Sequence, residues 1–391
     1  MTERHVVIIG AGAAGVAAAR ILSSHADVRV TLVARTGETA YTRMLIKSVA
    51  FGSTPAELVA TALPSVEVIA DTAIRIDAPS KVVALASGRT IDFDALLVAT
   101  GSRPRPLPAE IVGTATTSAR VTVLHTLDDA LRVRDVLSGL APSARVAIYG
   151  GGVIGSESAS SLRDDGREVT LIARSAVPGL ATFGAPVAER VARAHEERVR
   201  TRFGRSLTAV DHRDGALLLT LDDGSVEAAD LLLVALGTIP SGPWPWQDGV
   251  DVDLRLRVAP GVYAAGGTAW HRDALRGNWR IDHWDDAAAQ GAHAAQAVLH
   301  DLTGADDPGA YEPHSPYLAM VHGRAIAGAG LLVGDEEHVA ADSGLAVVHR
   351  VAHVAVGVSG IDAVGAVYQW ANDPCSPPLP ADSSTSALGS T

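Results

Sequence analysis

Apolar and polar positions repeat in the same order twice along this chain. An apolar run from Val6 to Ile9 enters a glycine-rich turn, so residues 5–9 predict a buried parallel strand. Residues 13–23 predict the following helix and 28–34 a second strand. Residues 66–97 then alternate apolar and polar around Pro79-Ser80 and Ser87-Gly88, which predicts an antiparallel meander. It ends in a buried strand, Asp92 to Gly101. The order restarts at Arg145 with the run Val146 to Tyr149. The segment Val-Thr-Leu-Ile-Ala-Arg at 169–174 is a near twin of Val-Thr-Leu-Val-Ala-Arg at 30–35. Residues 207–234 repeat the meander, with turns at Asp214-Gly215 and Asp223-Gly224. A strand–helix–strand–meander–strand order that occurs twice is a duplication at domain scale.

Other segments fall between and after these halves. Arg103-Pro104-Arg105-Pro106-Leu107-Pro108 is incompatible with a helix and predicts a crossing between domains. Thr126-Leu127-Asp128-Asp129 has the form of a capping box, opening a helix to about Leu137. Residues 187–202 predict an amphipathic helix and 283–300 a long one. Residues 316–370 predict a small β-rich domain, and the Pro/Ser/Ala-rich tail from Ser376 is expected to be disordered. The expected fold class is α/β. Two Rossmann-like dinucleotide-binding domains, each a parallel sheet plus an antiparallel meander in three layers, carry a small α+β C-terminal domain.

The turns carry the chemistry. Gly10-Ala11-Gly12-Ala13-Ala14-Gly15 and Gly150-Gly151-Gly152-Val153-Ile154-Gly155 each follow a strand and open a helix. Glycines at these spacings let the backbone turn tightly and set a helix N-terminus against a pyrophosphate. One such fingerprint is a weak signal. Two in the same context predict two dinucleotide sites, and hence electron transfer between them. Arg4 ahead of an Ala/Gly/Val stretch could mimic a leader, but the glycine spacing is better explained by a βαβ unit.

Composition narrows the classes. The 391 residues are 47% apolar and 19% charged, enough for two or three domains. A net charge of −12 argues against a general nucleic-acid partner. No apolar run approaches the ~20 residues of a membrane span, so no membrane partner is expected. The single cysteine, Cys375, rules out a redox pair or a Cys-built metal site within one chain and fits a reducing cytoplasm. No metal site is expected, and the protein is expected to be a monomer or homodimer.

The residue after each twin strand bears on ribose recognition. Ala173-Arg174-Ser175 offers a guanidinium and a hydroxyl where an acid would grip a free 2′-hydroxyl. This favours NADPH, with NADH possible. Ala34-Arg35-Thr36 also lacks the acid, leaving Arg35 and Glu38 as candidates. Arg190, Arg193, Arg198, Arg200, Arg202 and Arg205 could dock an acidic carrier, yet interleaved Glu189, Glu196 and Glu197 favour a solvated helix face. Trp244 and Trp246 read as exposed loop residues without a role.

Taken together, these landmarks resemble the two-dinucleotide flavoprotein reductases of the pyridine nucleotide-disulfide oxidoreductase superfamily. Within it the chain is most similar to the FAD-containing ferredoxin reductases that serve P450s and Rieske dioxygenases, without the redox disulfide. The residues that carry the resemblance are Tyr41-Thr42-Arg43-Met44-Leu45-Ile46-Lys47, Ala99-Thr100-Gly101-Ser102-Arg103-Pro104, Thr126-Leu127-Asp128-Asp129-Ala130 and Gly152-Val153-Ile154-Gly155-Ser156-Glu157. The most subfamily-specific is Arg280-Ile281-Asp282-His283-Trp284-Asp285-Asp286-Ala287, with Gln290-Gly291.

The resemblance implies an FAD-binding domain over 1–108 and 241–310, an NAD(P)-binding domain over 109–240, and a C-terminal interface domain over 311–375 before a tail at 376–391. It implies FAD contacts from Gly10, Gly12, Ala14, Gly15, Arg43, Thr100, Gly101, Gly266 and Gly267. Gly150, Gly152, Ile154, Gly155 and Gly237 fall to the nicotinamide cofactor. Lys47 would sit near the flavin, Glu157 would orient the carboxamide, and Trp284 would open a helix aimed at the flavin pyrimidine; these three are the catalytic candidates. The implied activity moves hydride from NADPH to FAD, then electrons to a ferredoxin-type iron–sulfur carrier.

Three departures keep alternatives open. The family carries a ribityl-binding acid where this chain has Gly267, and losing such a bond weakens FAD by ~1.5–3 kcal/mol. The aromatic/Ser-Asp segment near the nicotinamide face is replaced by Pro316-Tyr317-Leu318-Ala319-Met320-Val321, and the C-terminal domain ends short. One alternative is a flavin-dependent reductase, oxidase or monooxygenase acting on a small organic acceptor. Another is a degenerate flavoprotein with a nucleotide-binding or structural role.

Overall fold

The computed structural model describes residues 3–37, 40–113, 118–339, 341 and 344–374. Glu38, Cys375 and the Pro/Ser tail, all singled out above, lie outside the described residues.

Both predicted halves form. The first sheet runs, in spatial order, through Arg257–Ala259, Val262–Ala264, Ala95–Val98, Arg4–Ile9, Val28–Val33 and Glu67–Ile69. Every neighbouring pair is parallel except the first. The second runs Val121–Val123, Leu231–Val234, Arg145–Tyr149, Glu168–Ala173 and Arg200–Phe203, all parallel. Strands covered on both faces must be apolar throughout, which is why Val6–Ile9 and Leu231–Val234 are buried at every position. Each half carries its antiparallel meander, Ala73–Asp77 to Thr90–Asp92 and Leu207–Arg213 to Val226–Ala229.

The proline-rich crossing is a two-stranded ribbon. Ser102–Pro104 pairs antiparallel with Thr238–Pro240, so the chain leaves the first half and returns to it through adjacent strands. After residue 315 an antiparallel sheet takes the order Pro316–Val321, Arg324–Gly330, Val354–Ile361, Leu345–Val351, Asp335–Val339. Helix Val364–Asn372 seals it by burying Val367 and Trp370.

Two expectations are corrected. The helix foreseen over 187–202 spans Ala185–Glu196, and the amides of Arg198 and Val199 close it on the His195 carbonyl. Arg200–Phe203 is instead the edge strand of the second sheet. Arg200 and Arg202 there share Glu227, and Arg205 pairs with Asp223. Three of the six arginines are thus committed within the chain and lie off the helix, so the stretch is neither one helix face nor one docking face. Trp246 is also not a free loop residue, because it packs against the first core; exposed Trp244 lies under the Arg75 guanidinium at 4.3 Å.

Candidate functional site

The N-termini of two helices, Ala13–Leu22 and Val153–Asp164, open into one cleft of about 440 Å³. That volume lies in the ~300–1,000 Å³ range of small-ligand sites. The glycine turns behind it are dictated by close approach. Gly10 has φ +108°, and a Cβ there would stand 2.3 Å from the Ala99 carbonyl oxygen; one on Gly15 would stand 1.8 Å from the Gly10 oxygen. The second turn repeats the arrangement with Gly150 against Ala235 and Gly155 against Gly150. Gly12 differs, since nothing lies within 4 Å of its missing Cβ and no side chain caps its helix. The first-turn amides there are left for an anion of ligand size.

A charged pair stands inside the cleft. Lys47 Nζ meets a carboxylate oxygen of Glu157, and the other oxygen accepts from the Met320 amide at 3.2 Å. One side chain from each half and one backbone group of the C-terminal sheet therefore converge. Burial pulls the Lys47 ammonium down to about 8. Arg43 reaches across to His125: Nε donates to its carbonyl at 3.1 Å, and the guanidinium donates to Nδ1 at 2.6 Å. His125 Nε2 in turn donates to the Ser102 carbonyl at 2.9 Å, which fixes the neutral tautomer. Burial, helped by Arg43, holds that imidazole below its usual value.

The approach to helix Trp284–Thr303 forms another wall. Trp284 opens this helix at the cleft, and His283 before it stands 5.9 Å, ring to ring, from Tyr317. Tyr317, from the altered C-terminal segment, donates its hydroxyl to the Thr182 carbonyl at 2.8 Å. Beneath the helix the Gly266 amide donates to Gln290 Oε1 at 2.8 Å, and Gln290 Nε2 donates to Asp286 at 2.6 Å. Burial raises the Asp286 carboxyl to about 6, against hydrogen bonds from Tyr311 and Gln290.

Asp282 also lines the cleft, and sequence reasoning gave it no role. Its Oδ2 accepts from Ser102 Oγ at 2.6 Å and from Thr238 Oγ1, with Arg280 at 3.5 Å. Burial would raise this carboxyl, but those hydroxyls, with Arg43 and Arg280, hold it below the usual range.

Among the candidates, Gly12, Ala14, Arg43, Lys47, Gly101, Gly266 and Gly267 come together at the cleft with Gly152, Ile154, Glu157, Gly237 and Trp284. Gly10, Gly15, Gly150 and Gly155 shape the turns behind it. Thr100 lies outside the lining, its hydroxyl held by the Ser241 carbonyl. Arg35 and Arg174 are exposed just past the ends of their strands, and neither is among the residues lining the cleft. Missed were His125 and Asp282; the second sits in the quoted Arg280-to-Ala287 stretch, so that stretch was the signal available.

Comparison with known proteins agrees with this geometry. The family described as pyridine nucleotide-disulphide oxidoreductase matches residues 4–291. A rubredoxin–NAD(+) reductase of Pseudomonas putida is 30% identical over 347 residues, covering 84% of this chain and 86% of the relative. The ferredoxin–NAD(+) reductase component of the Pseudomonas putida p-cumate 2,3-dioxygenase system is 31% identical over 272 residues, 67% of this chain and 65% of the relative. Among solved structures, the covalent putidaredoxin reductase–putidaredoxin complex superposes with a TM-score of 0.82 at 24% identity, covering 95% of this chain and 93% of that one.

Proposed function

The chain belongs to the pyridine nucleotide-disulphide oxidoreductase family, and from that premise we propose an FAD-dependent NAD(P)H oxidoreductase that passes electrons to a ferredoxin-type carrier. The observation that carries the reading is a single cleft at which two glycine-turn helices begin, with Lys47 and Glu157 lining it as an ion pair. Two dinucleotides entering from opposite ends of such a cleft meet at that pair.

The residues fit FAD at the first turn. Gly12 leaves open space over uncapped amides, the donor set an anionic pyrophosphate needs. When bound, the flavin supplies the chemistry by accepting hydride from the nicotinamide and releasing electrons one at a time. The protein positions and tunes. Lys47, Glu157 and Trp284 flank the reacting region, and Glu157 is held by Lys47 and the Met320 amide. Arg43, tied to His125, holds the wall shared by the two halves. The N-terminus of helix Trp284–Thr303 brings positive dipole to the cleft. In this reading residues 1–108 with 241–310 bind FAD, 109–240 bind the nicotinamide cofactor, and 311–375 form the interface domain.

NADPH is the proposed donor. The relatives named above are NAD(+) reductases, but here an exposed Arg174 with Ser175 follows the second βαβ strand, and no described hydrogen bond or ion pair engages that guanidinium. The proposed compartment is the cytoplasm; one cysteine in 391 residues supports it, and no helix among the described residues is long and apolar enough to cross a membrane. The test is reduction of a two-iron ferredoxin by NADPH. Carrier-dependent reduction is expected. Turnover of small acceptors or O₂ with no transfer to any carrier would refute the carrier role.

A further inference from the structure

Position 267 places a glycine against a carboxylate. A Cβ built on Gly267 would stand 2.4 Å from Asp282 Oδ1 and 3.4 Å from Ser102 Cβ, so the Asp282 carboxylate already occupies the space of a side chain at 267. It is held there firmly. All three of its contacts, from Ser102, Thr238 and Arg280, fall on Oδ2, and no described hydrogen bond uses Oδ1. Arg280 also donates to the Gly267 carbonyl at 2.9 Å and to Thr238. One guanidinium thus locks both the glycine backbone and the carboxylate above it. Only 19% of the Asp282 side chain is exposed, although the residue lines the cleft.

The cleft contains just one other carboxylate among its described lining residues. Glu157 is engaged on both oxygens, by Lys47 and by the Met320 amide. Asp282 Oδ1 is therefore the anionic acceptor left for a ligand. Its place is also defined. Gly266, next in chain to Gly267, abuts the start of the first helix, since a Cβ on it would meet Ala14 Cβ at 3.3 Å. Asp282 thus sits beyond the pyrophosphate turn, and Lys47 and Trp284 line the same cleft. A polyol linker joining a pyrophosphate to an aromatic ring system presents hydroxyl donors and needs an acceptor there.

We propose that Asp282 is the ribityl-binding carboxylate of this chain, delivered from the approach to helix Trp284–Thr303 into the space that Gly267 leaves vacant. The assignment rests on the FAD reading above. The glycine is then a requirement of the site, because a side chain at 267 would displace the carboxylate.

The experiment is a cycle of three variants measured by flavin affinity. Binding is followed by quenching of FAD fluorescence, with ADP as a probe of the adenine half alone. Asp282→Ala is expected to weaken FAD roughly 10- to 150-fold, the loss of one hydrogen bond to a charged group, and to leave ADP affinity unchanged. Gly267→Asp alone is expected to weaken FAD as well, by forcing two carboxylates together. Gly267→Asp with Asp282→Ala returns one carboxylate to the site and is expected to bind FAD within about fivefold of wild type. Equal loss of FAD and ADP in Asp282→Ala, or no rescue in the double variant, would overturn the assignment while leaving the FAD reading intact. A wild-type protein that takes up no flavin would overturn both.

Discussion

Replacing Glu157 with Gln removes the anion from the Lys47 pair but keeps an acceptor for the Met320 amide. The Lys47 and Glu157 side chains are 20% and 14% exposed, so little water reaches the ammonium left behind. Burial has already drawn Lys47 from 10.5 to about 8, equivalent to ~3 kcal/mol against its charged form. A native pKa below the unfolded one means that the unfolded chain binds more protons between the two values. The penalty is therefore complete below pH 8 and is relieved as pH climbs towards 10.5. The value of about 8 holds with Glu157 in place, so removing the anion lowers it further. The variant is expected to lose up to about 1.4 kcal/mol more at pH 7, where wild-type Lys47 keeps its proton, than near pH 9.5, where it has already released it. Adding Lys47→Met replaces both charges with neutral side chains of similar length. That double variant is expected to recover wild-type stability or exceed it, because desolvation usually outweighs the attraction of a buried pair. The assay is thermal unfolding of flavin-loaded protein by tryptophan fluorescence at the two pH values. An equal loss at both, or a double variant weaker than Glu157→Gln alone, would refute the reasoning.

Other consequences follow from the same geometry. Gly12→Val is expected to fold yet take up no flavin, because only ligand space lies beyond its Cβ; Gly10→Ala is expected to lose at least ~3 kcal/mol, because its Cβ strikes the Ala99 carbonyl. Chemical denaturation and the flavin spectrum separate the two. Arg174→Ala is expected to raise the NADPH KM about tenfold and barely move the NADH KM; equal changes in steady-state kinetics would take Arg174 out of the 2′-phosphate site. Burial and neighbouring His322 pull His195 to about 3, and burial pulls His349 to about 4, whereas unfolded imidazoles protonate near 6.5. Stability is thus expected to fall as pH drops from 6.5 towards those values, and His195→Gln should flatten that slope in acid-unfolding curves.

The two dinucleotide halves were legible because their strands are covered on both faces. Such strands read as unbroken apolar runs, Val6–Ile9 and Leu231–Val234, and the glycines between strand and helix admit no other residue at Gly10 or Gly15. The crossing was legible from prolines, which forbid a helix. The helix over 187–202 overran because Arg200 and Arg202 continue the charged pattern of its exposed face. Their partner, Glu227, is brought near only by the folded sheet. The same limit hid His125 from Arg43, whose contact spans 82 residues. Asp282 was quoted as part of a motif but left without a role. The missing side chain at Gly267 was legible, but that the Asp282 carboxylate fills its space becomes visible only when both backbones are placed.

The most direct measurement is the visible spectrum of the purified protein, recorded without oxygen while NADPH is added. A yellow protein whose flavin bands bleach with one equivalent of NADPH is the expected result, since both nucleotide sites open on one cleft. A colourless protein, or a flavin that NADPH and NADH both leave oxidised, would contradict hydride transfer between the two sites.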